Sequence, residues 1–324
     1  MAGETKAGAD WAYPAELSPE ANAAMAFIAT LADGLPPLSE LDSEEAKRLT
    51  NPLSASYSQS VLKGLATITR TTLPLAGGAM PVHVIDAAPG TPQPLFIFVH
   101  GGGWVLLRPD AFDHVCQDIA LALGCKVVSL DYPVAPQAPC PKPLDACVEA
   151  VRYLKAHGVP GLAIEGPTYI GGDSAGANLS LGTLLRLKGD AASPDAGVLF
   201  YGVFDDDHTT RSHQVYGDGR FYLSTADMDW FWRYYTEGVP EAALAEARLL
   251  HADLAGLPPL FLAAAELDPL RDDTTNLADR LKAAGVAHEL HLIAGGLHGC
   301  INFASYYPSV AATHAAIARF LGRS

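Results

Sequence analysis

The sequence has little of what several classes of protein need. Its five cysteines in 324 residues are odd in number and form no CxxC pair, which excludes a disulfide framework and a zinc knuckle. With 21 basic residues against 36 acidic ones, a net charge of −15 and no basic cluster, nucleic-acid binding is disfavoured. No apolar run approaches the ~18 residues of a membrane helix. We therefore expect a cytoplasmic protein with neither a membrane nor a nucleic-acid partner.

The residues that are present are typical of a globular α/β protein. Apolar residues make up 49% of the chain and charged residues only 18%, which predicts a well-buried core. From residue 94 onward, short apolar runs alternate with helical patterns, and this alternation predicts βαβ units and a mostly parallel central sheet flanked by helices. The predicted elements are antiparallel strands within 66–86, parallel strands at 95–99, 127–130, 168–170, 198–200, 260–263 and 289–293, and helices over 144–154 and 309–321.

Two stretches lie outside this alternation. Residues 1–55 are rich in Ala, Pro, Ser and Glu, and residues 204–245 contain an aromatic-rich helix that Ser224 and Asp227 would open as a capping box. The two stretches could pack together as a lid, although each aromatic side chain by itself is better explained as core. The predicted division of the chain is an N-terminal cap segment, a first core part, a cap insertion and a second core part, at 1–55, 56–203, 204–245 and 246–324.

The segment from Gly172 to Gly176 matches the G-x-S-x-G pattern of a nucleophile elbow, with Ser174 at its centre. It lies between a predicted strand and a predicted helix, where the chain must reverse so sharply that side chains two positions from the serine would clash. The turn would expose Ser174 at the carboxyl end of the sheet, before a helix N-terminus that favours negative charge. A tight connection or a phosphate cradle is the alternative, but the P-loop and dinucleotide patterns are absent.

A second glycine-rich segment, His100-Gly101-Gly102-Gly103-Trp104, directly follows the strand at 95–99. Backbone N–H groups free of Cβ crowding can converge on the oxyanion of a tetrahedral intermediate, each contributing about 3 kcal/mol. The amide that follows the nucleophile would add another donor. A merely flexible loop would not explain why the segment lies at the end of a strand and accompanies a separate elbow.

A nucleophilic serine also needs a base and an orienting acid. In the order Ser, then acid, then His, the candidates are Asp268 and His298, which directly follow the strands at 260–263 and 289–293. Glu266 lies within a strand. Asp272 and Asp273 enter the next helix, where we expect capping or surface roles.

The other chemically active side chains have less support. His288 and His291 are spaced by three within a strand and so lie on opposite faces, and no HExxH pattern occurs, which argues against a metal site. Cys300 is close to His298 in sequence but would need a base of its own, so it is interpreted as pocket lining or core. We expect neither a metal nor an organic cofactor.

At these residues the chain resembles the hormone-sensitive-lipase-like (bacterial family IV) esterases, which have an α/β-hydrolase fold and a helical cap. The resemblance covers about residues 66–324 and implies a cap built from residues 1 to about 50 and 204–245. It rests on five motifs in family order: His100-Gly101-Gly102-Gly103-Trp104, Asp131-Tyr132 followed by Ala135-Pro136, Gly172-Asp173-Ser174-Ala175-Gly176, Asp268-Pro269-Leu270-Arg271-Asp272, and Leu297-His298-Gly299.

The resemblance also implies roles for individual residues. The catalytic triad would be Ser174, Asp268 and His298. The oxyanion hole would be the amides of Gly102, Gly103 and Ala175, and the substrate-binding candidates are Trp104, Leu106, Asp173 and Cys300. The chain departs from the family pattern without losing a catalytic group, since it carries Pro133 in place of Arg, Gln137 in place of Glu, Leu106 in place of a common Gly and Cys300 in place of Phe.

The function predicted from these residues is hydrolysis of short-chain carboxylic esters through an acyl-enzyme, the acyl length resting on the resemblance alone. A lactonase, amidase or carbamate hydrolase could use the same triad, and the motifs do not separate these activities. A non-catalytic ligand-binding relative is disfavoured because His298 is present. The partner is a small-molecule ester, and an edge strand near 289–293 could pair two copies into a homodimer.

Overall fold

The structure, a computed structural model, describes residues 11–54 and 66–323. Its centre is one sheet of eight strands in the order β1-β2-β4-β3-β5-β6-β7-β8, with β1 and β2 antiparallel and the strands from β3 to β8 parallel to one another. The strands are β1 (Thr67–Leu75), β2 (Gly78–Asp86), β3 (Gln93–Val99), β4 (Lys126–Leu130), β5 (Ile164–Asp173), β6 (Ala196–Phe200), β7 (Leu260–Leu267) and β8 (His288–Leu297). The predicted antiparallel entry and parallel sheet are confirmed.

Helices cover both faces of the sheet. Along β3, Ile97 and Val99 pack on one side with α4, α5 and α9, while Phe96 and Phe98 pack on the other with α3 and α10. Strands covered on both faces are apolar throughout, which is why their runs were recognisable in the sequence. The helices are α1 (Pro19–Leu31), α2 (Ser43–Ser54), α3 (Asp113–Leu123), α4 (Lys142–His157), α5 (Ala175–Arg186), α6 (Arg211–Tyr216), α7 (Thr225–Thr236), α8 (Glu241–Leu244), α9 (Arg271–Ala283) and α10 (Pro308–Phe320).

Local capping signals set the ends of several helices. Pro143 lies in the first turn of α4 and Gly158 follows its end with a φ of 62°. At the start of α7, the Asp227 amide donates to Ser224 Oγ and the Ser224 amide donates to the Asp227 carboxylate, each at 3.0 Å. The predicted capping box is therefore confirmed, and it satisfies backbone N–H groups that the start of α7 would otherwise leave without an acceptor.

The two stretches outside the alternation occupy different places. Helices α6 to α8 lie between β6 and β7, and Trp230 Nε1 of α7 donates to the carbonyl of Leu41 at 2.8 Å, which joins the insertion to the N-terminal stretch. Ala21, Ala24 and Ile28 of α1 instead pack into the core on the α3 and α10 side of the sheet. The predicted boundary at residue 55 lies outside the described residues.

All five cysteines are free, buried thiols. Of the helices in the described ranges, none combines the length and apolar character needed to cross a bilayer.

Candidate active site

Ser174 is the single residue between the end of β5 and the start of α5, where the chain turns sharply. Its backbone has φ 53° and ψ −122°, a strained conformation of the kind found at functional turns. A Cβ at either Gly172 or Gly176 would lie 2.0 Å from the carbonyl oxygen of Val99. Only glycine fits at these two positions, because the backbone at the end of β3 lies directly against Gly172 of β5 and Gly176 of α5.

The structure brings the three predicted triad residues together. His298 Nε2 lies 2.9 Å from Ser174 Oγ, and His298 Nδ1 lies 2.8 Å from Asp268 Oδ2. The other oxygen of Asp268 accepts from the Leu270 amide at 2.8 Å, and the carboxylate is fully buried. With the Nδ1 proton directed at Asp268, Nε2 is the free acceptor for the serine hydroxyl. The three residues follow β5, β7 and β8 and therefore meet at the carboxyl edge of the sheet.

The glycine-rich segment after β3, residues 100–104, is hereafter the oxyanion loop. Gly102 has a φ of 109° and Gly103 a φ of 59°, and a Cβ at Gly102 would lie 2.1 Å from the carbonyl oxygen of Leu106. Within the described part of the chain, no residue accepts a hydrogen bond from the amides of Gly102, Gly103 or Ala175. Free amides at a helix start and a glycine turn can stabilise a negatively charged oxygen.

Asp173 joins the elbow to the oxyanion loop. Its Oδ1 accepts from the Gly101 amide at 2.7 Å, and the side chain is 3% exposed. Burial raises the pKa of Asp173 to about 7, an effect that the Gly101 amide and the nearby His298 partly offset. The carboxyl group thus faces protein backbone.

Comparison with known proteins identifies the family of this chain. The family model for the α/β-hydrolase fold matches residues 96–302, which is more than half of the chain. The chain belongs to the hormone-sensitive-lipase-like family of α/β-hydrolase esterases. It is 34% identical over 244 residues to carboxylic ester hydrolase LipN of Mycobacterium tuberculosis, an alignment covering 72% of this chain and 64% of LipN.

Two further comparisons span more of both chains. An acetyl esterase of Salmonella schwarzengrund is 28% identical, with 83% of this chain and 84% of the relative covered. Among solved structures, an esterase of Pyrobaculum calidifontis superposes with a TM-score of 0.83 at 27% identity, covering 94% of this chain and 97% of that one. The α/β-hydrolase fold predicted from the motifs is therefore confirmed.

Three of the other predicted site residues of this esterase are shielded from solvent. Trp104 and Cys300 are fully buried, and Leu106 is 6% exposed. Burial raises the pKa of the Cys300 thiol well above its ordinary value, which keeps the sulfur protonated and a poor nucleophile. Gln137 is one of the residues that depart from the family pattern. Its Nε2 donates to Glu44 at 2.8 Å, and its Oε1 accepts from Lys47 at 2.7 Å, both residues of α2.

The expectation of a surface role for Asp272 and Asp273 is wrong. Asp272 is 8% exposed and Asp273 2%. Asp273 accepts from the amides of Phe204 and Asp205, at 2.7 and 3.2 Å, at the start of the insertion between β6 and β7. Asp272 accepts from Tyr13 Oη at 2.6 Å and from the amide of Ser212 at 2.9 Å. Both carboxylates therefore bind segments that pack against α9, which helix periodicity alone does not reveal.

Burial of Asp273 predicts a pH-dependent cost to stability. Desolvation, with smaller effects from Asp205 and Asp268, raises the Asp273 pKa from 3.8 to about 8. The native state then holds a proton that the unfolded state releases, so this group's contribution is present below about pH 4 and is lost as the pH rises toward 8. We expect Asp273→Asn, whose amide oxygen can still accept from both backbone amides, to raise the Tm at pH 8 by about 2 °C or more, and to give a clearly smaller shift at pH 5, where only the first part of the loss has occurred. Thermal unfolding of both proteins across this range measures the effect, and an equal shift at both pH values would contradict it.

One group of side chains in the described ranges could offer ligands to a metal ion, namely His83, Asp110 and Asp113. Arg70 already supplies a positive charge to these side chains, since its guanidinium donates to His83 Nε2 at 3.2 Å and to Asp110 Oδ1 at 2.8 Å. A cation there would have to displace the Arg70 charge. None of these residues belongs to the Ser174 site.

Proposed function

We propose that this esterase hydrolyses short-chain carboxylic esters through an acyl-enzyme formed on Ser174. The observation that carries the proposal is the unbroken chain of contacts from Ser174 Oγ to His298 and on to Asp268, at 2.9 and 2.8 Å. The relatives named carboxylic ester hydrolase and acetyl esterase support an ester substrate with a small acyl group.

The reaction follows from the position of each group. Ser174 Oγ attacks the ester carbonyl carbon while His298 Nε2 takes its proton, and Asp268 stabilises the imidazolium that forms. The oxygen of the tetrahedral intermediate accepts from the amides of the oxyanion loop and of Ala175. His298 then protonates the departing alcohol. Water, activated by the same imidazole, attacks the acyl-enzyme and releases the carboxylic acid.

The substrate-binding candidates divide by exposure. We propose that Leu106, which keeps a small exposed fraction, borders the substrate pocket. Trp104, Asp173 and Cys300, at 0%, 3% and 0% exposed, would shape the pocket through the residues they support. In this proposal, Asp173 positions Gly101 instead of contacting the ester.

The remaining expectations also stand as proposals. We propose that residues 1–55 and 204–245 together form the cap, supported by the hydrogen bond from Trp230 to Leu41, with α1 as the part of it that rests on the core. Strand β8 lies at the edge of the sheet, where a second copy could pair with it to form a homodimer. A cytoplasmic location stays a prediction, to which the five free thiols add support.

Hydrolysis of p-nitrophenyl esters from acetate to dodecanoate tests the proposed reaction. We expect the highest kcat/KM for the short acyl chains, and a burst of p-nitrophenol equal to the enzyme concentration wherever deacylation limits the rate. Intact-mass spectrometry after quenching should show one acyl group per chain, located on the peptide that contains Ser174. Turnover of lactones, amides or carbamates in place of every ester would reassign the substrate, and binding without turnover would indicate a ligand-binding relative.

A further inference from the structure

The backbone of Trp104, at the end of the oxyanion loop, is in an unfavourable conformation. Its φ is 60°, a left-handed value that disfavours a side chain with a Cβ. Gly102 and Gly103, the two residues before it, also have positive φ, so three successive residues share this handedness. Such a conformation persists only where the surroundings hold it in place.

Aromatic residues of α7 surround this turn. The ring of Tyr235 stacks on Trp104 with centroids 4.3 Å apart and planes within 6°, and Trp232 packs against the same ring at 4.9 Å. Phe231 covers the adjacent glycine so closely that a Cβ at Gly103 would lie 2.0 Å from its ring. Trp104 and Tyr235 are fully buried, and Trp232 is 5% exposed.

Helix α7 is itself anchored to other parts of the fold. The Cys140 amide donates to the carbonyl of Tyr235 at 2.9 Å, and Trp230 Nε1 donates to Leu41. On the loop side, the Ala135 amide donates to the carbonyl of Trp104 at 2.8 Å. The stacked pair of Trp104 and Tyr235 therefore joins two backbones that are each fixed elsewhere.

We propose that Tyr235 is a positioning residue for ester hydrolysis: by stacking on Trp104 it holds the oxyanion loop in its left-handed turn and so keeps the amides of Gly102 and Gly103 directed at the developing oxyanion. The inference rests on the proposed function, because it concerns the same site. It gives α7 a role beyond its place in the proposed cap, since the helix would help to hold the oxyanion hole in shape.

The substitution Tyr235→Leu tests this role. Loss of the stacked ring lets Trp104 relax toward an ordinary φ, and the amides of the loop lose their alignment. We expect kcat on p-nitrophenyl acetate to fall about 10- to 100-fold, with KM within about threefold of wild type. The Ki of a trifluoromethyl ketone, which forms an oxyanion on the serine, should rise by the same factor as kcat/KM falls. Tyr235→Phe keeps the ring and should retain wild-type values.

Tyr216 of α6 provides a matched control, because it is also a fully buried tyrosine of the cap insertion but packs on Phe221, at 4.9 Å, and on Tyr13. We expect Tyr216→Leu to lower the Tm while kcat and the inhibitor Ki stay unchanged. Should Tyr235→Leu fail to fold, Tyr235→Met removes the same stacked ring while its longer, flexible side chain fills more of the space, and we expect the same loss of kcat and the same rise in Ki.

Several outcomes would overturn the inference. One is an unchanged kcat and Ki in a folded Tyr235→Leu or, in its place, Tyr235→Met. Others are a rise in KM alone, and an equal loss of kcat in Tyr216→Leu. If the wild-type protein hydrolyses no ester, the proposed function itself is wrong. If only the variants lose activity, the proposed function stands.

Discussion

Ser174→Ala should lower kcat/KM on p-nitrophenyl acetate by about a thousandfold or more. In the proposed mechanism Ser174 Oγ is the atom that becomes acylated, and neither His298 nor the oxyanion loop can replace it, so only the residual catalysis of binding and oxyanion stabilisation would remain. The fold should persist, because the substitution removes one oxygen and a single contact, the 2.9 Å bond to His298 Nε2. Initial rates with wild type and variant at equal concentration measure the loss.

A second buried serine of α5 serves as the control. Ser180 is fully buried and its hydroxyl donates to the carbonyl of Gly176 at 2.7 Å, so Ser180→Ala also removes one hydroxyl and one hydrogen bond. We expect its rate to stay within about threefold of wild type. In the double variant Ser174→Ala/His298→Ala, the loss should be no larger than in Ser174→Ala alone, since the two residues act as a unit. A Ser174→Ala variant that retains its rate would show that another residue is the nucleophile.

Gly176→Ala should lower both the stability of the protein and its kcat, because it distorts the turn that carries Ser174. The added Cβ would lie 2.0 Å from the carbonyl oxygen of Val99 and 2.6 Å from that of His100. Both are backbone atoms, one at the end of β3 and one in the loop that carries two of the proposed oxyanion donors, so α5 and β3 must separate. A shift of about 1 Å in a reacting group can cost about a hundredfold in rate, and overpacking of this kind costs about 1–3 kcal/mol of unfolding free energy. Urea unfolding and kcat on p-nitrophenyl acetate measure the two effects.

Gly182 of the same helix is the matched control. A Cβ at Gly182 would approach only the side chain of Leu144, at 3.1 Å, which can move. In a helix interior, alanine is also favoured over glycine by about 1 kcal/mol. We expect Gly182→Ala to keep wild-type kcat with little change in stability. Equal behaviour of Gly176→Ala and Gly182→Ala would mean that the elbow tolerates a side chain.

Two strands are longer than the apolar runs that predict them. The strand predicted at 168–170 extends from Ile164 to Asp173, and the one predicted at 289–293 extends to Leu297. The additional residues include two pairs of glycines, 171–172 in β5 and 295–296 in β8, which interrupt the apolar runs. Beyond a shift in register, β3 also pairs with Ile164 and β7 with Leu297, so the neighbouring strands extend β5 and β8 past the runs. An apolar run marks the buried centre of a strand, whereas its ends depend on the neighbouring strand.

The burial of Asp272 and Asp273 has the same kind of cause. Their positions in the first turn of a helix were predictable, but the segments they bind are the cap insertion and, for Asp272, also the N-terminal stretch. No pattern within a helix indicates which distant backbone amides will need an acceptor. The aromatic residues of α7 are similar, since the sequence indicated core residues and left open that Tyr235 would stack on Trp104.

The sequence by itself determined the α/β class, the parallel strands and the residues that the fold brings together as Ser174, Asp268 and His298. These follow from local rules, because an apolar period, a glycine-demanding turn and a polar residue after a strand end all depend on a few neighbouring residues. Only the tertiary structure decided the distances within the triad, the hydrogen bond from Gly101 to Asp173 and the packing of α7 on the oxyanion loop. These contacts join residues far apart in the chain, so they depend on how whole elements pack against one another.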